Sequence, residues 1–278
     1  MALPVGIQLY SLRDDLEKDF KGTLKAVKEM GYDGVEFAGL NGNAPEDVKA
    51  MCEEIGLVPI SAHIPIDDFI KDGIENVLDT WHTVGVKFVV FPYLLKNRWP
   101  GGTDWDETYA AIKQIGEGAI ARGMQLLYHN HDFEFKNSYN GQRIMDALYG
   151  SFSPEVLASE LDVCWVNIGG ENPPAYIKSF TGRAPVVHLK DFNIEGKCPK
   201  RLYALIGIND EEVEPDPDEG KFEFRPVGHG MQDMPPILAA SIEAGAGWVI
   251  VEQDNPSEGT TPIECATKSI SYLKGFEW

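Results

Sequence analysis

The chain has 278 residues, 43% of them hydrophobic, and its 44 acidic against 24 basic residues give a formal net charge of −20. This length suits one large α/β barrel or two average domains, and no stretch approaches the roughly 18 unbroken apolar residues of a membrane-spanning helix. The negative charge argues against binding to nucleic acid or to an anionic membrane, because both normally depend on Lys and Arg side chains that neutralise phosphates.

The start of the chain and the cysteines indicate a cytoplasmic protein. The opening MALPVGIQLY enters a strand-like pattern at once, without the basic region, apolar core and cleavage site of a secretory signal. The cysteines are Cys52, Cys164, Cys198 and Cys265. They show no CxxC or other paired spacing, so the sequence predicts reduced thiols and neither a disulfide framework nor a cysteine-based zinc site.

Eight strand-like runs alternate with helical segments along the chain. In order, the runs are VGIQLYSL (5–12), GVEF (34–37), LVPISAHI (57–64), KFVVFPYL (87–94), MQLLYHNH (124–131), VLASELDVCW (156–165), PVVHLKD (185–191) and WVIVEQD (248–254). After the first run, apolar residues recur every three or four positions from Phe20 to Met30, which is the period of an amphipathic helix. Several such segments end in a glycine, the residue that most readily closes a helix.

The alternation predicts a single-domain (β/α)₈ TIM barrel over residues 1–278. Strands that are separated by helices pair in parallel through right-handed crossovers, and eight such units favour a closed barrel. The alternative is an open doubly wound sheet, which ordinarily carries a glycine-rich phosphate loop after its first strand. The first run instead continues into YSLRDD, so we favour the barrel.

The interval between the seventh and eighth runs is longer than the others. Residues 193–227, approximately, are predicted to form an extended loop insertion with an acidic, proline-rich stretch at 209–220. Such a loop could be a lid, an oligomer contact or a segment without a role. Its last part, VGHG (227–230), could bind a small anion through backbone N–H groups, although an ordinary loop is the commoner explanation.

Polar side chains accumulate at the ends of the last four barrel runs. The carboxyl ends of parallel barrel strands meet at one rim, where active sites lie. Since side chains alternate along a strand, residues two positions apart project to the same side. The pairs at this rim are His129 with His131, Glu160 with Asp162, His188 with Lys190, and Glu252 with Asp254.

These imidazoles and carboxylates predict one divalent cation, because such ligands suit Mn²⁺, Mg²⁺, Zn²⁺ or Fe²⁺. Taking one ligand from each run gives His129, Asp162, His188 and Glu252. A single histidine in an apolar run is more often a core residue, and a strand-end acid is more often a helix cap. Four such residues on consecutive strands favour the cation, because burying several unpaired acids together is costly without one.

Five further residues near the strand ends are candidates for contact with a substrate: Gln8, Tyr10, Glu36, His63 and Trp165. Gln8 and Tyr10 share a face of the first run, and an indole such as Trp165 could form a flat wall for a sugar ring. A purely structural role is an equal alternative for each of them.

The motifs QLYSLRDD, GYDGVEF, YHNHDFEF, ELDVCWV, GRAPVVHLKD, VGHG and VEQD together resemble the xylose isomerase-like TIM-barrel superfamily, and within it the branch labelled sugar phosphate isomerase/epimerase. The resemblance covers essentially the whole chain. In this superfamily a divalent cation is held by Glu, Asp, His and Glu from strands five to eight. Asp162, His188 and Glu252 match the last three positions, whereas the spacing places His129 where the epimerases have glutamate.

The resemblance implies a metal-dependent isomerase or epimerase for a sugar, keto sugar or polyol, acting through an enediolate. The epimerases use two cation-bound glutamates to remove and return a proton, and only Glu252 is retained here. His131, Glu160 or Lys190 would therefore supply the second acid or base, and Lys190 would also stabilise the developing oxyanion.

Other functions remain open at this point. The inosose dehydratase branch also has histidines on strand five, so a dehydratase or lyase acting on a keto sugar or inosose is the main alternative. A sugar-binding barrel without activity is a second, and an endonuclease IV-like repair enzyme is disfavoured by the six histidines and the net charge of −20. The expected partner is a small-molecule sugar or polyol, without nucleic acid or membrane, and a homo-oligomer is left open.

Overall fold

The computed structural model describes residues 2–200, 202 and 218–275, and eight parallel strands form a closed barrel in it. The strands are β1 (Val5–Gln8), β2 (Gly34–Phe37), β3 (Val58–His63), β4 (Phe88–Phe91), β5 (Gln125–His129), β6 (Ala158–Asp162), β7 (Val186–Leu189) and β8 (Trp248–Val251). Their order around the barrel is β1, β8, β7, β6, β5, β4, β3, β2. The predicted (β/α)₈ TIM barrel is confirmed.

Helices surround the barrel and cover the outer faces of its strands. They are α1 (Arg13–Lys18), α2 (Phe20–Met30), α3 (Pro45–Ile55), α4 (Ile66–Asp72), α5 (Ile74–Val84), α6 (Trp105–Ala121), α7 (Phe133–Lys136), α8 (Ile144–Gly150), α9 (Val163–Ile168), α10 (Pro173–Ser179), α11 (Met234–Glu243) and α12 (Pro262–Lys274). Short 3₁₀ helices span Leu9–Leu12 and Lys96–Arg98. Within the described part of the chain, none of the helices combines the length and the apolar character that crossing a bilayer requires.

Seven of the eight strands end before the predicted runs do, and in two of them the last strand residue caps a helix. The Gln8 side chain accepts a hydrogen bond from the Tyr10 N–H, and the 3₁₀ helix Leu9–Leu12 follows. The Asp162 side chain accepts one from the Trp165 N–H in the same way, and α9 begins at the next residue. Trp165 therefore lies in a helix and not at the end of the sixth strand.

An apolar layer fills the barrel interior beneath the polar rim. Its members are Ile60, Val90, Leu127, Ala158, Val186 and Ile250. In β5, β6 and β7 the layer residue stands two positions before a polar residue of the rim, so the layer forms the floor of the polar region. Strand β2 contributes Gly34 instead, because a Cβ there would lie 2.6 Å from the Val58 carbonyl oxygen and 2.8 Å from Ile60 Cγ1.

The segment after β7 begins with a short antiparallel pair of strands, Asp191–Glu195 with Lys221–Arg225. Both strands lie largely within the region that was predicted to be an extended insertion. Residues 201 and 203–217, which include most of the acidic stretch, lie outside the described residues.

The VGHG turn is bound to a carboxylate of the chain itself. Asp191 Oδ2 accepts the backbone N–H groups of Gly228 at 3.0 Å and Gly230 at 2.9 Å. Asp191 Oδ1 accepts those of Phe192 at 2.8 Å and Gln232 at 3.1 Å. The backbone donors of this turn thus fasten it to the end of β7.

Candidate metal centre

The four predicted ligands converge at the carboxyl rim of the barrel. His129 ends β5, Asp162 ends β6, His188 lies in β7, and Glu252 directly follows β8. One possible ligand atom of each lies within 4.8 Å of those of the other three, and none of the four residues is more than 5% exposed. His129 Nε2 is 3.7 Å from Asp162 Oδ2 and 4.0 Å from Glu252 Oε2. His188 Nδ1 is 3.0 Å from Glu252 Oε2.

This set of donors fits a divalent cation, since imidazole nitrogens and carboxylate oxygens are its usual protein ligands. Asp162 Oδ2 is buried and forms no hydrogen bond among the described residues, and its one described ion-pair contact with a lysine is Lys190 Nζ at 3.4 Å. A buried polar atom without a partner is costly unless an ion or another group satisfies it. Burial also raises the pKa of Asp162 to about 6, an effect that a nearby positive charge opposes.

Lys190 lies beside these ligands. Its Nζ is 2.9 Å from Glu252 Oε2, 2.9 Å from Asp254 Oδ2 and 3.4 Å from Asp162 Oδ2. Burial by itself lowers the pKa of Lys190, but the carboxylates of Asp254 and Glu252 raise it well above its ordinary value, so the ammonium stays charged. It also lies 5.3 Å from the ring centroid of Trp165. A fixed ammonium in this position can stabilise negative charge on a substrate oxygen.

A second polar cluster lies on the other side of His129. Glu160 Oε1 is 2.7 Å from His63 Nε2, 3.0 Å from His129 Nδ1 and 3.0 Å from His188 Nε2. Glu36 Oε1 lies 3.2 Å from His63 Nε2 and 2.8 Å from His188 Nε2. Burial opposes protonation of His63, but the charges of Glu36 and Glu160 outweigh it and raise the pKa of His63 to about 10. His63, His129, Glu160 and His188 also place possible ligand atoms within 4.8 Å of one another, so the structure contains two overlapping candidate clusters.

A cavity of about 240 Å³ opens onto the candidate metal centre. Its lining residues are Tyr10, Ala38, His63, Pro65, Pro92, Tyr93, His129, His131, Lys190, Glu252 and Asp254. Apart from His63 in β3, the first four strands and the segments after them contribute aromatic and apolar residues, whereas β5 to β8 and the residues that follow them contribute most of the ionisable ones. A small molecule with both hydroxyl groups and apolar C–H faces would complement such a lining.

His131 lines this cavity two residues beyond the end of β5. Its ring stacks on Phe133 with a centroid distance of 5.2 Å and packs against Trp165 at 5.2 Å. Burial lowers the pKa of His131 to about 3, so the imidazole is neutral at pH 7. Its Nδ1 is buried and has no hydrogen-bond partner among the described residues.

The structure places only two of the five predicted substrate-binding residues in the lining of the cavity. Tyr10 and His63 line the cavity. Three are fully buried and do not belong to its described lining: Gln8, Glu36 and Trp165. Gln8 Nε2 donates to Glu36 Oε1 at 2.8 Å, so these two side chains contact each other in the barrel interior. Glu160, predicted to be catalytic, is also fully buried and separate from the described lining.

The sequence reasoning did not assign a role to Tyr93 or Asp254, and both line the cavity. Asp254 was recognised as a strand-end residue, and here it contacts Lys190 Nζ. Tyr93 stands two residues after β4. The rule that functional side chains follow barrel strands could have identified it, but no candidate was taken from the fourth strand.

The sequence model described as the xylose isomerase-like TIM barrel matches residues 24–275 of this chain. Among curated relatives, the inosose dehydratase of Lacticaseibacillus casei is 26% identical over 174 residues, covering 61% of this chain and 54% of that protein. The match thus spans about half the length of that relative.

Similar solved structures cover almost the whole chain. A sugar phosphate isomerase/epimerase from Parabacteroides distasonis has a TM-score of 0.74 and 23% identity, over 99% of this chain and 94% of that one. The IOLI protein with a bound zinc atom has a TM-score of 0.69 and 16% identity, over 98% and 97%. At these identities the likeness shows a shared fold.

Proposed function

The chain belongs to the xylose isomerase-like TIM barrel family, and we propose that it is a divalent-cation-dependent enzyme that isomerises or epimerises a sugar, keto sugar or polyol. One observation carries this proposal: His129, Asp162, His188 and Glu252 converge beside a cavity of small-molecule size. The isomerase/epimerase from Parabacteroides distasonis supports the reaction class, and the zinc atom in the IOLI protein supports the cation.

The cation would be held by His129, Asp162, His188 and Glu252, and Mn²⁺, Mg²⁺ and Zn²⁺ all suit these ligands. It would supply Lewis-acid stabilisation of negative charge at a substrate carbonyl.

The chain's own side chains would move the proton and stabilise the charge. His131 lines the cavity, and its neutral imidazole would remove a proton from the carbon next to the carbonyl. Glu252 also lines the cavity and is the alternative base. The Lys190 ammonium would stabilise the enediolate oxygen. Return of the proton to the same or a neighbouring carbon gives an epimer or an isomer.

Dehydration of a keto sugar or inosose is the second candidate. It is favoured by the match to the inosose dehydratase of Lacticaseibacillus casei and by the two histidines at the end of β5, His129 and His131. The first step would be the same proton removal, and loss of a β-hydroxyl group would replace reprotonation.

The reaction is tested by turnover in D₂O. The purified protein, supplied with Mn²⁺, Mg²⁺ or Zn²⁺, is incubated with a panel of keto sugars and inososes, and products are analysed by NMR and mass spectrometry. Deuterium on a carbon of an isomer or epimer supports the first candidate, and an unsaturated product supports the second. The Asp162→Asn variant should lose turnover, whereas the exposed His82→Ala variant should keep it. An isomer or epimer that carries no deuterium at any carbon would contradict proton removal and return through solvent-exchanging groups, whereas an unsaturated product need not carry deuterium.

Binding measurements separate an enzyme from a sugar-binding barrel. A binding module would bind a sugar by calorimetry without any divalent cation, and Asp162→Asn would not change that affinity. We further propose a cytoplasmic protein with a small-molecule sugar or polyol as its partner, on the basis of the composition and the net charge of −20. A homo-oligomer is compatible with this proposal and is tested by light scattering.

A further inference from the structure

His129 presents its two ring nitrogens to two different groups of carboxylates. Nε2 faces Asp162 and Glu252, and Nδ1 faces Glu160. The residue is 2% exposed, so its ring has little freedom to exchange these partners for bulk water. A neutral imidazole carries one proton, and the nitrogen that carries it cannot also bind a cation. The protein must therefore determine which nitrogen is free.

The two ring nitrogens of His129 lie at different distances from their neighbouring carboxylate oxygens. Ligand atoms bound to one tetrahedral Zn²⁺ at about 2.0 to 2.2 Å are separated by about 3.3 to 3.6 Å. His129 Nε2 is 3.7 and 4.0 Å from the oxygens of Asp162 and Glu252, which leaves room for an ion. His129 Nδ1 is 3.0 Å from Glu160 Oε1, which is the length of an N–H···O hydrogen bond.

We propose that Glu160 is a positioning residue that binds the proton on His129 Nδ1 and so reserves Nε2 for the cation. Glu160 Oε1 is itself held by His63 Nε2 at 2.7 Å, so the three side chains form a chain of hydrogen bonds from His63 through Glu160 to His129. A carboxylate that fixes the tautomer of a metal-binding imidazole also increases the basicity of that imidazole. This inference rests on the proposed cation site.

The surroundings of Glu160 fit positioning better than direct contact with a substrate. The residue is fully buried and does not belong to the described cavity lining. Besides His63 and His129, its Oε1 lies 3.0 Å from His188 Nε2, so the same oxygen faces imidazole nitrogens on three sides. The two overlapping clusters differ at His129, whose contact with Glu160 is a hydrogen bond and whose distances to Asp162 and Glu252 leave room for an ion.

A double-mutant cycle on cation affinity tests the proposal. Mn²⁺ is titrated calorimetrically into the full-length wild type, Glu160→Gln, His129→Glu and the double variant. We expect Glu160→Gln to weaken binding by about 10-fold or more in the wild-type background, at unchanged stoichiometry. In the His129→Glu background the same exchange should not weaken binding, because a carboxylate at position 129 has neither a tautomer to fix nor an imidazole basicity that Glu160 could increase. It should strengthen binding, since it removes repulsion between two neighbouring carboxylates.

A merely structural role for Glu160 gives a different result. Glu160→Gln would then weaken Mn²⁺ binding by the same factor in both backgrounds, and this outcome would overturn the proposal. An exchange of the exposed Glu117 to Gln is the matched control and should leave affinity unchanged in both backgrounds.

The tautomer of His129 is a second measurement and needs no cation. The sequence has six histidines, so long-range ¹H–¹⁵N spectra of ¹⁵N-histidine-labelled protein can assign each ring, with His129→Gln identifying its signals. We expect the proton on Nδ1 in the wild type and in Glu160→Gln, which keeps an acceptor oxygen. In Glu160→Ala it should move to Nε2, and a proton that stays on Nδ1 there would refute the role of Glu160.

Failure of this inference is distinguishable from failure of the proposed function. A wild-type protein that binds none of Mn²⁺, Mg²⁺ and Zn²⁺ stoichiometrically contradicts the proposed function and with it the cation-directing role. Stoichiometric binding together with equal effects of Glu160→Gln in both backgrounds contradicts only the inference. If Glu160→Ala does not fold, the double-mutant cycle with the near-isosteric glutamine still decides.

Discussion

Replacing Glu134 by glutamine should change how the stability of this protein depends on pH. Glu134 lies in α7, directly behind the cavity-lining His131, and it is fully buried. Its Oε2 accepts the backbone N–H of His131 at 2.9 Å, and its Oε1 accepts the hydroxyl group of Tyr128. Burial raises the pKa of Glu134 from an ordinary 4.5 to about 8.

The sign of the pH dependence follows from this raised pKa. Between about pH 4.5 and pH 8 the folded state keeps the proton on Glu134, whereas the unfolded state has lost it. The contribution of this group to stability is therefore fully present below pH 4.5 and is lost as the pH rises through about 8. The two pKa values differ by about 3.5, and at about 1.4 kcal/mol per pKa unit this amounts to on the order of 5 kcal/mol.

A glutamine side chain has nearly the shape and the hydrogen-bonding groups of a protonated glutamate, but it does not ionise. Its amide group can donate to the Tyr128 oxygen while its carbonyl accepts the N–H of His131. Glu134→Gln should therefore have nearly the stability of the wild type at about pH 5 and exceed it by several kcal/mol at about pH 8.

The assay is urea unfolding followed by tryptophan fluorescence across this pH range, with Glu117→Gln, an exchange of an exposed carboxylate, as the control. A stability difference between Glu134→Gln and the wild type that is constant with pH would show that Glu134 is ionised in the folded protein. The reasoning from burial would then be wrong.

Three further exchanges test the fold and the site. Leu127→Ala removes a fully buried side chain of the interior layer and should cost about 2 to 5 kcal/mol in urea unfolding, whereas Val58→Ala, at a side chain that is 44% exposed, should cost less than about 1 kcal/mol. Asp191→Ala leaves four backbone N–H groups without their acceptor, so it should lower the free energy of unfolding by about 3 kcal/mol or more. It should also speed hydrogen exchange in the VGHG turn, and unchanged exchange would contradict the anchoring role. His188→Ala should abolish stoichiometric Mn²⁺ binding in calorimetry while the exposed His82→Ala retains it, and equal affinity in both variants would count against the cation site.

Much of the architecture could be predicted because it depends on local patterns. The eight apolar runs, the helical periods between them and the glycines that end helices are each visible within about 20 residues of sequence. The four ligand positions were chosen from the strand ends, and the resemblance to the xylose isomerase-like family, confirmed by the match over residues 24–275, agreed with three of them. Alternation along strands also predicted correctly that residues such as His188 and Lys190 would face the same rim.

Strand ends were predicted less well, because the pattern of apolar residues continues from a strand into a buried helix. Val163 and Trp165 are as buried as the residues of β6, so burial alone does not reveal that the strand stops at Asp162. The decisive feature is the hydrogen bond from the Trp165 N–H to the Asp162 side chain, which starts a helix there.

The sequence by itself determined the barrel class and the residue types that reach its rim, because both follow from periods of two and 3.6 residues along the chain. The tertiary structure alone decided which of these residues contact each other. His63 and Glu160 are 97 positions apart, yet their side-chain atoms approach to 2.7 Å, and this contact depends on barrel closure and register. Barrel closure also decides which carboxylates each nitrogen of His129 faces. Nδ1 lies within hydrogen-bond distance of Glu160, whereas Nε2 faces Asp162 and Glu252 at longer distances, and the spacing of residues in the sequence does not encode this difference.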